Sequence, residues 1–430
     1  MTEVNTREIV MEGLIAILEK GEYSHIVTGQ ILNKYIYLDK KDRAFISRLM
    51  AGTLESVYLL DDIIDRYSKV KASKLKPVIR TILRMTVYQI YFMDGVKNFA
   101  AINEAVNLAK KKGFKTLSGF VNGVLRSAAR DVESYELPKT LNVRYSVPKW
   151  LADKFVTDYG YDKAVSILDG FTKQSGVTAR MNLSKGKSAE EIKAALTEED
   201  VVFEDISDKA KGALVLKEFD ALSDISMLNE GYLQVQDVSA MYPVLMSGAK
   251  KDDNVIDVCA APGGKSLHMA DILDNTGHIE ARDKTEYKVG LIEDNLLRAD
   301  FKNISTKVWD ATVPDESAFN SADIVIADVP CSGLGVLGKK PDIRYRIKEE
   351  DLTSLVTLQR DILRAVWQYV KPGGTLMYST CTLNKAENEE NVTWFTKNFP
   401  FVLENEADMV TIFPDEYCDG FFIAKLKRIK

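Results

Sequence analysis

From about residue 250 the chain alternates short β-branched runs with helical stretches, and a glycine-rich turn breaks the first alternation. Candidate strands are Val255–Val258, His278–Arg282, Thr306–Trp309, Ile324–Ala327 and Thr375–Tyr378, with helical stretches near 265–274, 285–299 and 351–370 between most of them. This pattern predicts a mostly parallel sheet covered on both faces. Ligands in such sheets bind beyond the carboxyl ends of the strands, near the topological switch point. The turn reads Cys259-Ala260-Ala261-Pro262-Gly263-Gly264-Lys265. Small residues and paired glycines let backbone approach a ligand, and the helix that follows presents unpaired N–H groups. It matches neither the P-loop nor G-x-G-x-x-G, so ATP and NAD are weakly supported. A tight turn with no ligand is the competing reading.

Acids recur at the strand ends: Asp283 after the second strand, Asp310 after the third and Asp328 after the fourth. A carboxylate at the end of strand two suits the two hydroxyls of a ribose, and Asp310 could accept from an adenine amino group. Carboxylates welcome a cationic cofactor and repel a triphosphate, which favours S-adenosylmethionine. The commoner use of a single such aspartate is to cap a helix; three in register weaken that alternative.

Two cysteines fall at strand ends as well, Cys331 in Asp328-Val329-Pro330-Cys331 and Cys381 in Tyr378-Ser379-Thr380-Cys381. A protease-like thiol needs a histidine. The chain has only His25, His268 and His278, none near either cysteine in sequence. A thiol that adds to C6 of cytosine, so that C5 can take a methyl group, fits better, and single-stranded RNA makes the base accessible. Chemistry alone does not choose which cysteine attacks. Cys259 and Cys418 read more simply as small buried hydrophobes.

The 430 residues exceed a usual single core, which predicts two or three domains. No apolar run reaches the length of a membrane span and no secretory pattern opens the chain, so a cytoplasmic protein with reduced thiols and no membrane partner is expected. Four cysteines without short paired spacing argue against a disulfide scaffold or a zinc site, and no metal is expected. The net charge is −6, yet residues 1–132 hold 21 Lys and Arg against 14 Asp and Glu. This basic third reads as helical throughout, with a helix opening at Pro77 and another over about 117–129. Arg66 to Arg80 holds six cations and no acid, and Lys110-Lys111-Lys112 with Lys115 makes a second cluster. Such a surface suits a polyanion, or is simply a solvated helical face. After a linker around 131–145, residues 140–240 read as a small α+β domain with helices near 148–159, 162–173 and 188–196 and a strand at Val177–Asn182.

Together, Ala260-Ala261-Pro262-Gly263-Gly264-Lys265, Asp328-Val329-Pro330-Cys331-Ser332-Gly333 and Ser379-Thr380-Cys381-Thr382 resemble the RNA (cytosine-5)-methyltransferases. Pro341-Asp342-Ile343-Arg344 and Asp419-Gly420-Phe421-Phe422 extend the likeness, and Arg180-Met181-Asn182 and Gln236-Asp237 fit its middle region. The front is similar to the NusB family through Ala101-Ile102-Asn103-Glu104-Ala105-Val106 and Gly119-Phe120-Val121-Asn122-Gly123-Val124-Leu125-Arg126. The resemblance implies an α/β chain in three parts. These are an all-helical NusB-like domain over 1–132, the α+β linker over 140–240 and a Rossmann-like methyltransferase domain over 241–430.

It also implies site roles. Cys259, Ala260, Ala261, Pro262, Gly263, Gly264 and Lys265 would wrap S-adenosylmethionine, with Asp283 on the ribose, Asp310 beside adenine and Asp328 between cofactor and base. Cys381 would be the nucleophile, Cys331 would assist breakdown of the adduct, and Lys265 and Asp328 would belong to the catalytic group. The substrate implied is a cytidine in 16S rRNA, with tRNA as the alternative, no DNA, and a monomer as the acting unit. A non-catalytic ribosome-assembly factor is the reading from a different class. Lys339, Lys340, Arg344 and Arg346 are expected to meet phosphates. Arg282 departs from the apolar residues usual before the strand-two acid, which leaves the register of that strand open.

Overall fold

Asn5 and Pro77 show how the front of the chain becomes helical. The Asn5 side chain accepts the Glu8 N–H at 3.0 Å and starts the helix Thr6–Lys20, which stops at Gly21 with φ 76°. Pro77 fills the first turn of Pro77–Phe92, where its missing N–H costs nothing. These helices, with Lys40–Glu55, Val57–Tyr67, Asn98–Lys111 and Ser118–Arg130, close over one apolar core that includes Leu14, Met50, Ile63, Leu83, Leu108 and Leu125.

The computed structural model describes residues 4–173 and 176–430. It divides into two compact units: the chain up to Asp169 with Leu337–Ile347, and Gly170–Val336 with Lys348–Lys430. No helix among the described residues is long and apolar enough to cross a membrane.

The short segment Leu337–Ile347 is held within the first unit by polar contacts. Arg344 is buried and donates to the carbonyls of Glu55 at 2.9 Å, Tyr145 at 3.1 Å and Leu337 at 3.3 Å. The Tyr345 hydroxyl donates to Leu54 O at 2.5 Å, and Ser24 donates to Asp342. This corrects the expectation that Arg344 meets phosphate: its guanidinium is spent on backbone carbonyls. Arg346 lies over the Tyr23 ring and pairs with Asp342, while Lys339 and Lys340 stay exposed. The basic clusters are likewise partly neutralised. Arg66 pairs with Asp62, Lys71 with Asp65, Arg80 with Glu19, and Lys111 and Lys112 with Glu8.

The second unit contains two sheets. Strands β1 (Val177–Met181), β2 (Val202–Asp205), β3 (Ala213–Glu218) and β4 (Leu233–Val235) form an antiparallel sheet in the order β2-β3-β1-β4. The larger sheet uses β5 (Asn254–Asp257), β6 (His278–Asp283), β7 (Ile304–Val308), β8 (Ala322–Asp328), β9 (Val370–Thr380), β10 (Phe401–Val402), β11 (Met409–Ile412) and β12 (Phe421–Arg428). Its order is β10-β12-β9-β8-β5-β6-β7, with β11 also on β12. Strands β5 to β9 pair in parallel, and β12 closes the edge of β9 antiparallel. The chain moves outward from β5 to β7 and then returns to β8 on the other side of β5, so the switch point lies between β5 and β8.

Arg282 settles the register of β6. It pairs with Lys307 of β7, and its guanidinium is buried against Glu280 and Asp315, with the Trp309 and Tyr369 rings beside it. A charge fits this strand because two carboxylates and two aromatic faces enclose it.

Arg180 of β1 ties the small sheet to the helix Gly264–Ile272. It is 1% exposed and donates to Gln236 Oε1 at 3.1 Å, to Met181 O at 3.2 Å and to Asp271 at 3.1 Å. Burial draws its guanidinium down to about 10. Arg180→Ala leaves Asp271 without its buried cation and is expected to cost roughly 3–5 kcal/mol in urea unfolding. Arg180→Met, which refills the volume without charge, should cost less than Arg180→Ala; equal stability of all three proteins would contradict a structural role for the pair.

Candidate active site

The turn after β5 is shaped by backbone bonds. Ala260 N–H donates to Arg282 O at 2.8 Å, and Gly263 N–H donates to Ala260 O at 2.6 Å. The Ala261–Pro262 peptide is cis, and Gly263 sits at φ 104°, a conformation that L side chains rarely adopt. Cys259 and Ala261 reach the wall of a 290 Å³ cavity at the switch point; Ala260, Pro262, Gly263 and Gly264 build the turn rather than that wall.

The three strand-end acids all line this cavity. Asp283 is buried, accepts the Ala261 N–H at 3.1 Å and the Lys284 N–H at 2.7 Å, and pairs with Lys288 at 3.1 Å. Asp310 accepts from the Thr312 N–H at 3.0 Å and hydroxyl at 2.8 Å, and pairs with Lys284 at 2.9 Å. The Lys284 and Thr312 contacts hold its carboxyl down at about 2. Asp328 binds Lys265 Nζ at 2.6 Å and accepts from the Ser379 hydroxyl at 2.8 Å. Burial opposes the charge on Lys265, but Asp328 outweighs it and holds the ammonium above its ordinary range. Val258, Ala311, Val329, Pro330, Leu358 and Ile362 supply apolar walls, and Trp309 an aromatic one.

Cys331 and Cys381 line the same cavity, with their sulfurs 3.0 Å apart. The hydrogen bond to Cys381, followed by burial, pushes the Cys331 thiol well above its ordinary value. Cys259 is half-buried on the wall, its thiol raised by burial, whereas Cys418 packs into an apolar cluster with Ile206, Val215 and Met241. The Asp419-Gly420-Phe421-Phe422 run leads into β12. Gly420 N–H donates to Gly335 O at 2.7 Å, Gly335 N–H donates to Cys381 O at 3.0 Å, and Lys265 lies over the Phe421 ring. A Cβ on Gly335 would stand 1.9 Å from Gly420 O, so glycine is required for this approach. A larger cavity of 820 Å³, walled by Tyr242, Met246, Ile412, Tyr417 and Ile423 among others, contains neither thiol of this pair nor any strand-end acid.

Sequence reasoning missed Lys284, Lys288, Ser379 and a buried polar group around Glu387. The available signal was the polar run Thr382 to Asn391, unusual directly after a buried strand.

A carboxylate-rich, partly apolar cavity at this switch point fits a nucleoside bearing a positive charge, and no cluster of metal-ligating residues occurs among the described residues. Fold and site together define an S-adenosylmethionine-dependent methyltransferase. The family model described as 16S rRNA methyltransferase RsmB/F matches residues 244–427, and the NusB family model matches residues 4–130. The probable ribosomal RNA small subunit methyltransferase B of Bacillus subtilis is 33% identical over 100% of both chains. Its counterpart in Synechocystis sp. is 31% identical over 99% of this chain and 100% of its own. The crystal structure of PH0851 shares the fold, with a TM-score of 0.82 at 24% identity over 99% of each chain. The chain belongs to the RsmB/F family of 16S rRNA methyltransferases and carries a NusB-family front.

Asp257, wholly buried at the end of β5, accepts from the Ser266 hydroxyl at 2.8 Å. Burial pushes its carboxyl up to about 7; Asp328 adds to the shift, while Ser266 and Lys265 oppose it. The unfolded chain loses this proton near about pH 4. From about pH 4 to about pH 7 the folded protein therefore holds a proton that unfolding releases, and stability falls as pH rises. Asp257→Asn removes that titration. Raising the pH from roughly 5 to roughly 8 is expected to lower the melting temperature of the unaltered protein relative to the variant. A constant difference across that range would contradict a protonated carboxyl.

Proposed function

We propose that the protein methylates C5 of a cytidine in 16S rRNA through a covalent adduct between Cys381 and C6 of the base. The observation that carries this reading is the pair of sulfurs 3.0 Å apart on the wall of the cavity that Asp283, Asp310 and Asp328 line. Bound S-adenosylmethionine supplies a methyl group on a positive sulfur, which becomes S-adenosylhomocysteine when C5 takes the methyl.

The residues divide the remaining work. The cofactor roles fall to the turn Cys259 to Lys265, to Asp283 for the ribose and to Asp310 for adenine. Asp328, fixed by Ser379, and the Lys265 ammonium bound to it stand beside the ring, the ammonium offsetting the negative charge that develops there as the Cys381 thiolate forms its bond to C6. Addition moves the electron pair towards C5, which bonds the incoming methyl carbon. The C5 proton is then lost to water, the C6–S bond breaks, and Cys381 leaves as thiolate. Cys331, held as a thiol beside Cys381, assists this breakdown. Exposed Lys69, Lys74, Lys76 and Lys110 of the NusB-family front and Lys339 and Lys340 supply phosphate contacts, so affinity for RNA falls steeply with salt.

The test uses the full protein, in-vitro transcribed 16S rRNA and radiolabelled S-adenosylmethionine. Cys381→Ala is expected to abolish methyl transfer, and undiminished incorporation would refute the nucleophile assignment. Cys331→Ala should accumulate a covalent protein–RNA species that survives denaturing electrophoresis. Bisulfite mapping of rRNA and tRNA from a deletion strain should show one cytidine of 16S rRNA losing its methyl group; loss confined to tRNA would overturn the substrate.

A further inference from the structure

Behind the two thiols lies a carboxylate that the reaction described above does not use. Glu387 is 0% exposed, yet its oxygens receive four hydrogen bonds. The Ser332 N–H donates at 3.0 Å and the Ser332 hydroxyl at 2.5 Å. Gln359 Nε2 donates at 2.8 Å and Asn384 Nδ2 at 2.9 Å. Each oxygen of the carboxylate thus receives two of the four contacts, Oε1 from the Ser332 hydroxyl and Asn384, Oε2 from the Ser332 N–H and Gln359.

The donors come from three places. Ser332 follows Cys331 directly, Asn384 lies three residues beyond Cys381, and Gln359 sits on the helix Asp351–Val366. The Gln359 side chain also donates to Pro330 O at 3.0 Å, one residue before Cys331. The Ser332 and Thr382 hydroxyls meet at 2.7 Å, so the residues that follow the two cysteines touch each other as the thiols do. Asn388 extends the same tie: its side chain donates to Thr382 O at 2.9 Å and accepts from Thr380 Oγ1 at 2.6 Å.

We propose that Glu387 is a positioning residue for release of the methylated base: its carboxylate clamps the Cys331 loop against the Cys381 loop and keeps the two thiols in contact. The inference rests on the division of labour between the cysteines given above. Cys331 can assist breakdown of the adduct only from beside Cys381. The two loops leave separate strands, β8 and β9, and Glu387 with its donors joins them beyond the strand ends. The negative charge of Glu387 also adds, after the Cys381 hydrogen bond and burial, to the forces that keep Cys331 a thiol.

The experiment compares Glu387→Gln and Ser332→Ala with the unaltered protein and with Cys331→Ala, on 16S rRNA and radiolabelled S-adenosylmethionine. Glu387→Gln sets an amide N–H₂ against groups that are themselves donors; Ser332→Ala removes one donor and leaves the backbone bond intact. Both variants are expected to form the protein–RNA adduct at close to the normal rate and to release it slowly. The trapped fraction should rise by about fivefold or more, and kcat should fall while the KM for S-adenosylmethionine holds. If Glu387→Gln does not fold, as judged by its melting curve, Ser332→Ala decides alone. Folded variants that turn over normally without trapped adduct overturn the proposal. So does an equal loss of adduct formation and release, which would mark a merely structural role. If Cys331→Ala traps no adduct, the assignment of Cys331 itself fails and the clamp fails with it; trapping by Cys331→Ala alone refutes only the clamp.

Discussion

The site depends on the parallel register of β8 and β9. Asp328 stands opposite Ser379 in that ladder, and their side chains are hydrogen-bonded. Each strand ends within a few residues of that pair, one running on to Cys331 and the other to Cys381. A shift of one residue would turn every side chain of one strand to the opposite face and separate the thiols. The ladder is held by buried residues on both strands, among them Ile324, Val325, Ile326, Leu376, Met377 and Tyr378. The placing of the two thiols here is a product of core packing.

Electrostatics then decides which charges survive in and around the cavity. Asp310 has a lysine and a threonine to satisfy it, and stays ionised far into acid. Asp257 is wholly buried with weaker compensation and is held near neutrality. Lys265 keeps its proton because Asp328 stands against it. Asp310 and Asp257 thus occupy different states, set by desolvation against local donors.

The motifs were legible because close backbone approach and strand-end chemistry restrict residue choice. The Cys259 to Lys265 turn, the three aspartates and both cysteines reach one region, and the expected strands of the parallel sheet overlap those observed. The antiparallel edge made by β10, β11 and β12 was not legible. Two of its segments, β10 and β11, are only two and four residues long, and β12 opens on a run of consecutive buried residues rather than an alternating one. Arg344 was read as a phosphate ligand because a basic residue near Lys339 and Lys340 looks solvent-facing. Only the fold reveals the carbonyls of Glu55, Tyr145 and Leu337 around it. Arg282 was read as a departure from the apolar residues expected before the strand-two acid, because its partner Asp315 lies beyond the next strand. Glu387 escaped notice because a glutamate in a polar run ordinarily marks a surface.

The placement of Leu337–Ile347 with the first unit has a consequence for how this chain can be divided. The backbone passes between the units three times, after Asp169, after Val336 and after Ile347. Cutting the chain once near residue 170 therefore does not yield two complete halves. The C-terminal fragment would carry Arg344 and Tyr345 without Glu55, Tyr145 and Leu54, the residues that satisfy them. The N-terminal fragment would keep those carbonyls with no guanidinium to receive. Each unit has its own core, yet neither is one continuous stretch of the chain.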